Sequence, residues 1–169
     1  MRTHKLVLIA MLTAFAIAIA ILESFIPSIG IPGVKLGLAN IVILITVYEL
    51  GVVEAIFINI IRVLIVSLVR GTFLSMGFFM SFLGAFFSLL VMILFALLIK
   101  KFSVIGVSVI SSIFHILGQI LIAIIYLNTF YVLYYLPIIS LFAILTGIIV
   151  GIVSRTIIKT GIVRKQAMK

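Results

Sequence analysis

Apolar runs follow one another from Leu6 to Ser154, and hardly a charge interrupts them. A helix crosses the ~30 Å hydrocarbon layer of a bilayer in about 20 apolar residues. Runs of this length and number exceed what a soluble core of 169 residues would bury. The sequence therefore predicts an all-α integral membrane protein, a single membrane domain over residues 1–169. Asp is absent, and the acids are Glu23, Glu49 and Glu54 alone. Polar groups inside the spans become the candidates for function, because each costs free energy to place in hydrocarbon.

Six helical runs can be drawn, at 6–25, 37–50, 52–70, 75–99, 104–126 and 134–155. Two prolines, Pro27 and Pro32, break the first from the second. Glu49-Leu50-Gly51, Arg70-Gly71-Thr72, Lys100-Lys101 and the stretch Asn128 to Pro137 make the other breaks. The second run is short, and its division from the third is the least defined. The start imitates a secretory signal, with Arg2 and Lys5 before an apolar run and Ala14-Phe15-Ala16 as a cleavage-like site. The run is longer than a signal core, so it is read as a retained span.

Basic residues give the orientation. With the N-terminus inside, Arg2, Lys5, Lys100, Lys101, Arg155, Lys159, Arg164, Lys165 and Lys169 fall on the cytoplasmic side. Lys35 and Arg70 fall outside, and Arg62 lies within a span. This asymmetry predicts that both termini are cytoplasmic, which requires an even number of spans. The formal charge of +9 is scattered between apolar runs. That pattern fits contact with the lipid bilayer's anionic headgroups and argues against nucleic acid.

Arg62, near the middle of the third run, must face protein or a wet cavity. No acid stands at its depth by residue count: Glu54 is eight residues away, and Glu23 counts to the outer surface. Asn59 shares the Arg62 face at i−3. In the fifth run Ser108, Ser112, His115, Gln119 and Tyr126 recur on one helical side. Either interhelical hydrogen bonding or a polar cavity wall would account for that stripe. One His without Cys or Asp is a poor metal site, so no metal is expected. Stripes of small residues, Ala10-Ala14-Ala18, Gly77-Ser81-Ala85-Ser88 and Ala143-Gly147-Gly151, are read first as internal packing faces.

The chain lacks the G-x-x-x-x-G-K-[S/T] phosphate loop, has no Asp to hold Mg²⁺ beside a diphosphate, and shows no Ser-His-acid set. These absences predict a binder or carrier that is not an enzyme and needs no cofactor. The candidate binding residues are Arg62, His115 and Gln119, with Glu23, Lys35 and Asn40 near the mouth and Asn59, Ser108, Tyr126 and Asn128 as secondary contacts. The segment 26–36 would be a lid. Lys35, Arg70 and Arg62 against Glu23 alone hint at a ligand carrying carboxylate or phosphate.

The motifs resemble a known family. Pro32-Gly33-Val34-Lys35-Leu36-Gly37-Leu38-Ala39-Asn40, then Asn59 with Arg62-Val63-Leu64, then Ser81-Phe82-Leu83-Gly84 with Ser88-Leu89-Leu90-Val91-Met92 carry the likeness. So do Gly106-Val107-Ser108 with His115, Gly118 and Gln119, and Tyr135-Leu136-Pro137 with Gly147 and Gly151. Together they resemble the Gx transporter family, also labelled heptaprenyl diphosphate synthase component I. That family is in turn similar to the substrate-binding S components of energy-coupling factor importers.

The resemblance implies a six-helix bundle in the bacterial plasma membrane that captures a small molecule from outside. It also implies partners: a transmembrane T subunit and two cytoplasmic ATPases, with Ala10, Ala14 and Ala18 on the docking face. The alternatives are an accessory membrane subunit linked to polyprenyl diphosphate synthesis and a purely structural membrane subunit.

Overall fold

The computed structural model describes residues 2–25, 35–98 and 102–167. Every regular element among them is helical. In chain order these are α1 (Arg2–Glu23), α2 (Asn40–Glu49), α3 (Val52–Val69), α4 (Met76–Leu98) and α5 (Val104–Leu127). A 3-10 turn, Phe130–Tyr135, leads into α6 (Leu136–Thr160) and the short α7 (Ile162–Ala167). Five helices are long and apolar enough to cross a membrane: α1, α3, α4, α5 and the stretch carrying α6. The protein is thus a multi-pass membrane protein.

The helix ends follow local chemistry. The Ser103 hydroxyl accepts the Gly106 N–H at 3.1 Å and caps α5, which stops at Asn128 in the left-handed region. Pro137 sits in the first turn of α6, where its missing N–H costs nothing, and Gly161 ends that helix at φ +59°. Between α2 and α3 the Leu50 and Gly51 N–H groups both donate to the Thr46 carbonyl at 2.9 Å. Gly51 then takes φ +127°, a conformation side chains disfavour, and the chain reverses into α3.

The second run differs most from its expected form. Helix α2 has ten residues, about 15 Å at 1.5 Å each, or half the hydrocarbon thickness. Seven of its residues are buried, and α1, α3, α4 and α6 all pack on it. A helix apolar on every side needs such a surround. It forms the core of the bundle, with Val42, Ile43, Leu44 and Val47 against Ala16, Ile58, Met92 and Val107.

Two further interfaces close on small residues. A Cβ on Gly118 would lie 2.7 Å from the Leu83 carbonyl oxygen, and one on Gly84 would lie 2.8 Å from that of His115, so α4 and α5 touch backbone to backbone. On the other side Gly147 and Gly151 seat α6 against Val109 and Ile105 of α5. These stripes are internal packing faces. The α1 stripe is not: Ala10, Ala14 and Ala18 are exposed, while Thr13, Ala16 and Ala20 face inward.

Lys5 at the start of α1 pairs with Glu54 at the start of α3 at 2.5 Å. Glu49, ending α2, accepts the Arg164 N–H of α7 at 3.1 Å. Both chain ends therefore lie at one end of the bundle. Because α1 and α3 begin at that end and pack together, the chain between them must return the length of the bundle. It does so through residues 35–39 and then α2.

Candidate functional site

Above the N-terminus of α2 the bundle holds a polar chamber. Glu23 from α1, Lys35 and Gly37 from the segment before α2, Arg62 from α3, Ser81 from α4 and His115 from α5 line it, with Phe78 and Val66 among its apolar walls. The end of the chain's first helix and the middle of its third thus meet in one cavity. Counting residues had placed Glu23 at the surface, away from Arg62 and His115. Straight, independent spans are a poor guide here, because packed helices tilt and a guanidinium reaches far from its backbone.

Arg62 is 5 % exposed and Glu23 6 %. The Arg62 guanidinium donates to Asn59 Oδ1 at 2.7 Å and to Asn40 Oδ1 at 3.4 Å. Asn59 in turn donates to the Ala85 carbonyl, and Asn40 to the Ser88 hydroxyl at 3.0 Å. One network therefore joins α2, α3 and α4. Glu23 Oε1 accepts the Gly37 N–H at 2.5 Å. Gly37 takes φ +83° and lies against His115, where a Cβ would meet the ring's Cδ2 at 3.4 Å. That contact and that torsion together require glycine.

Gln119 is wholly buried and clamps the main chain of Lys35 through both ends of its amide. The Lys35 ammonium donates to the Ser81 hydroxyl at 2.9 Å. His115 is 4 % exposed, and neither of its ring nitrogens makes a well-formed hydrogen bond, although the Gly84 backbone lies close to the ring. A buried imidazole without a well-formed hydrogen bond is uncommon and calls for an explanation.

Of the residues expected at the site, Glu23, Lys35, Asn40, Asn59, Arg62, His115 and Gln119 come together. Ser108 is fully buried two turns below His115, packed where Gly151 of α6 closes on α5, with its hydroxyl unpartnered. Tyr126 and Asn128 lie apart from the chamber. Tyr126 is half exposed with its ring near Phe79, and Asn128 ends α5 on the surface. Of the expected lid only Lys35 and Leu36 fall within the described residues; Gly30, Gly33 and the prolines before them lie outside.

Ser81 and Ser88 were read as packing residues, yet they hold Lys35 and Asn40. Their spacing with Gly77 and Ala85 masked them, although a hydroxyl within a small-residue stripe is the signal to look for. Among the described residues no three His, Cys, Asp or Glu side chains gather to hold a metal ion.

A larger concavity, about 310 Å³, opens between α3 and α4. Asn59 is its one polar residue, and Ile60, Phe82, Phe86 and Leu90 make apolar walls that lipid tails can cover. It offers nothing to select a polar ligand, so the chamber is the better candidate.

The family model described as heptaprenyl diphosphate synthase component I matches residues 12–157. The chain belongs to that family. It is the family that the chain's motifs resemble, and the match spans α1 to α6, with every chamber residue inside it. No curated protein and no solved structure matches this member of the heptaprenyl diphosphate synthase component I family.

Proposed function

We propose that this protein is the membrane-embedded substrate-binding component of an energy-coupling factor type importer. It captures a small molecule from outside and delivers it through a T subunit driven by two separate ATPases. The observation that supports this most is the chamber itself. Polar side chains from α1, α3, α4 and α5 converge with Lys35 at one end of the bundle, opposite the end that holds both chain termini. Intramembrane polar groups so arranged mark a substrate site by default.

The chain crosses the bilayer six times in this reading, the second crossing being shared by residues 35–39 and α2. Both termini lie in the cytoplasm, and the chamber opens outward. The bilayer is the plasma membrane of a bacterium. The exposed Ala10, Ala14 and Ala18 face, left unused by internal packing, is where the T subunit docks.

The test is co-purification. The chain expressed with its T and ATPase subunits should form a complex that Ala14→Leu or Ala18→Leu weakens, without loss of small-molecule retention by the isolated chain. An intact complex in both variants would reject the docking face, and no complex at all would reject the importer role. The family description supports a second reading, an accessory subunit of polyprenyl diphosphate synthesis. Incubation with allylic and isopentenyl diphosphates separates the two, because turnover by the chain, alone or with a synthase partner, belongs to the second reading only.

A further inference from the structure

The chamber's charges do not balance. Lys35 and Arg62 both line it, and Glu23 is the one carboxylate among the described residues that does. Glu23 is committed to the Gly37 N–H on the approach to α2. Neither cation forms an ion pair among the described residues. Arg62 is held by two neutral amide oxygens, and Lys35 by one hydroxyl that itself donates to the Gly77 carbonyl. A guanidinium has five N–H donors and an ammonium three, so donor capacity is left over. Beside them His115 brings two buried ring nitrogens without well-formed hydrogen bonds. Arg62 is buried and Lys35 half-buried; such cations with only neutral partners are costly, and an anion offsets that cost.

From this juxtaposition we infer that the chamber is an oxyanion subsite. It takes one carboxylate or phosphate group between the Lys35 ammonium and the Arg62 guanidinium, with His115 donating a ring N–H. The inference rests on the substrate-binding reading above and adds the chemical class. Size agrees with a group and not a whole molecule. The cavity volume is about 30 Å³, far below a pocket for an entire metabolite. The anionic end of a ligand fits there, and a larger body requires the segment at Lys35 to shift. Such a group comes either from a soluble metabolite or from an anionic lipid headgroup.

The test uses the full chain in phosphatidylcholine nanodiscs. Its melting temperature is followed with sodium acetate, inorganic phosphate, acetamide, or sodium chloride at matched ionic strength. Acetate or phosphate should stabilise it and shift the ¹⁵N resonances of His115, while acetamide should do neither. Arg62→Gln and Lys35→Gln should each abolish the stabilisation, and the milder Ser81→Ala should weaken apparent affinity about tenfold.

Equal response of the wild type to acetate, phosphate and acetamide, with no stabilisation by phosphatidylglycerol in the nanodisc, would overturn the inference, whether or not the variants fold. Stabilisation that survives both Gln variants would overturn the location. Either failure leaves the importer reading to its own co-purification test. If phosphatidylglycerol in the nanodisc stabilises the protein and soluble anions do not compete, the oxyanion chemistry stands. The soluble-substrate reading then falls.

Discussion

Gln119 holds the main chain of Lys35 as a neighbouring strand would: the Lys35 N–H donates to Oε1 and the Lys35 carbonyl accepts from Nε2, each at 2.8 Å. A side chain in the middle of α5 thus satisfies both backbone groups of a residue that belongs to no helix. Non-helical backbone inside a bilayer protein survives only when protein or water satisfies it. The clamp is therefore what permits the chain to dip inward before α2 begins.

Gln119→Leu should release that segment. The change removes two hydrogen bonds and strands a half-buried N–H and carbonyl, a loss of about 1–3 kcal/mol. Hydrogen exchange at Leu36 to Asn40 should accelerate, with α4 and α6 amides unaffected. Unchanged protection at those residues would show that Glu23 and Ser81 hold the segment without the clamp.

The α4–α5 contact should tolerate no side chain. A Cβ on Gly118 meets the Leu83 carbonyl and the Gly84 backbone within 2.9 Å, and backbone cannot rotate aside. Gly118→Ala should lower stability by about 1–3 kcal/mol, as overpacking does. Gly77→Ala, whose Cβ would find only the Ser75 hydroxyl at 3.7 Å, should be neutral or slightly stabilising. Thermal unfolding in detergent compares the two. Equal losses would mean that the helices separate without penalty.

Much of this was legible in the sequence because hydrocarbon enforces a simple rule: long apolar runs are helices, and rare polar groups inside them converge. Arg62, Asn59, His115 and Gln119 were found that way. What escaped was three-dimensional. The ten-residue α2 reads like a short span, since nothing in Val42 to Val47 says whether lipid or protein surrounds it. Gln119 looked like a ligand contact, and only the fold reveals the Lys35 backbone in its grip. Ser81 and Ser88 were hidden in a packing stripe because a serine serves equally as a small residue and as a hydrogen-bond partner. Tyr126 shares the helical period of the stripe but lies two turns above Gln119, past the end of the chamber.

The sidedness of the bundle yields the last prediction. The Lys5–Glu54 pair and the Glu49–Arg164 contact put the N-terminus, the α2–α3 turn and α7 at one end. Lys35 lines the chamber with Ser67 and Thr72, on either side of Arg70 in the chain, at the opposite end. The chain contains no cysteine, so single substitutions can be labelled without background. In intact cells a membrane-impermeant maleimide should modify Arg70→Cys but reach Lys159→Cys only after lysis. Labelling of residues 70 and 159 from the same face would contradict the outward-opening chamber and the even number of crossings together. The proposed topology rests on one piece of geometry: α1 and α3 start side by side, and the chain between them must come back.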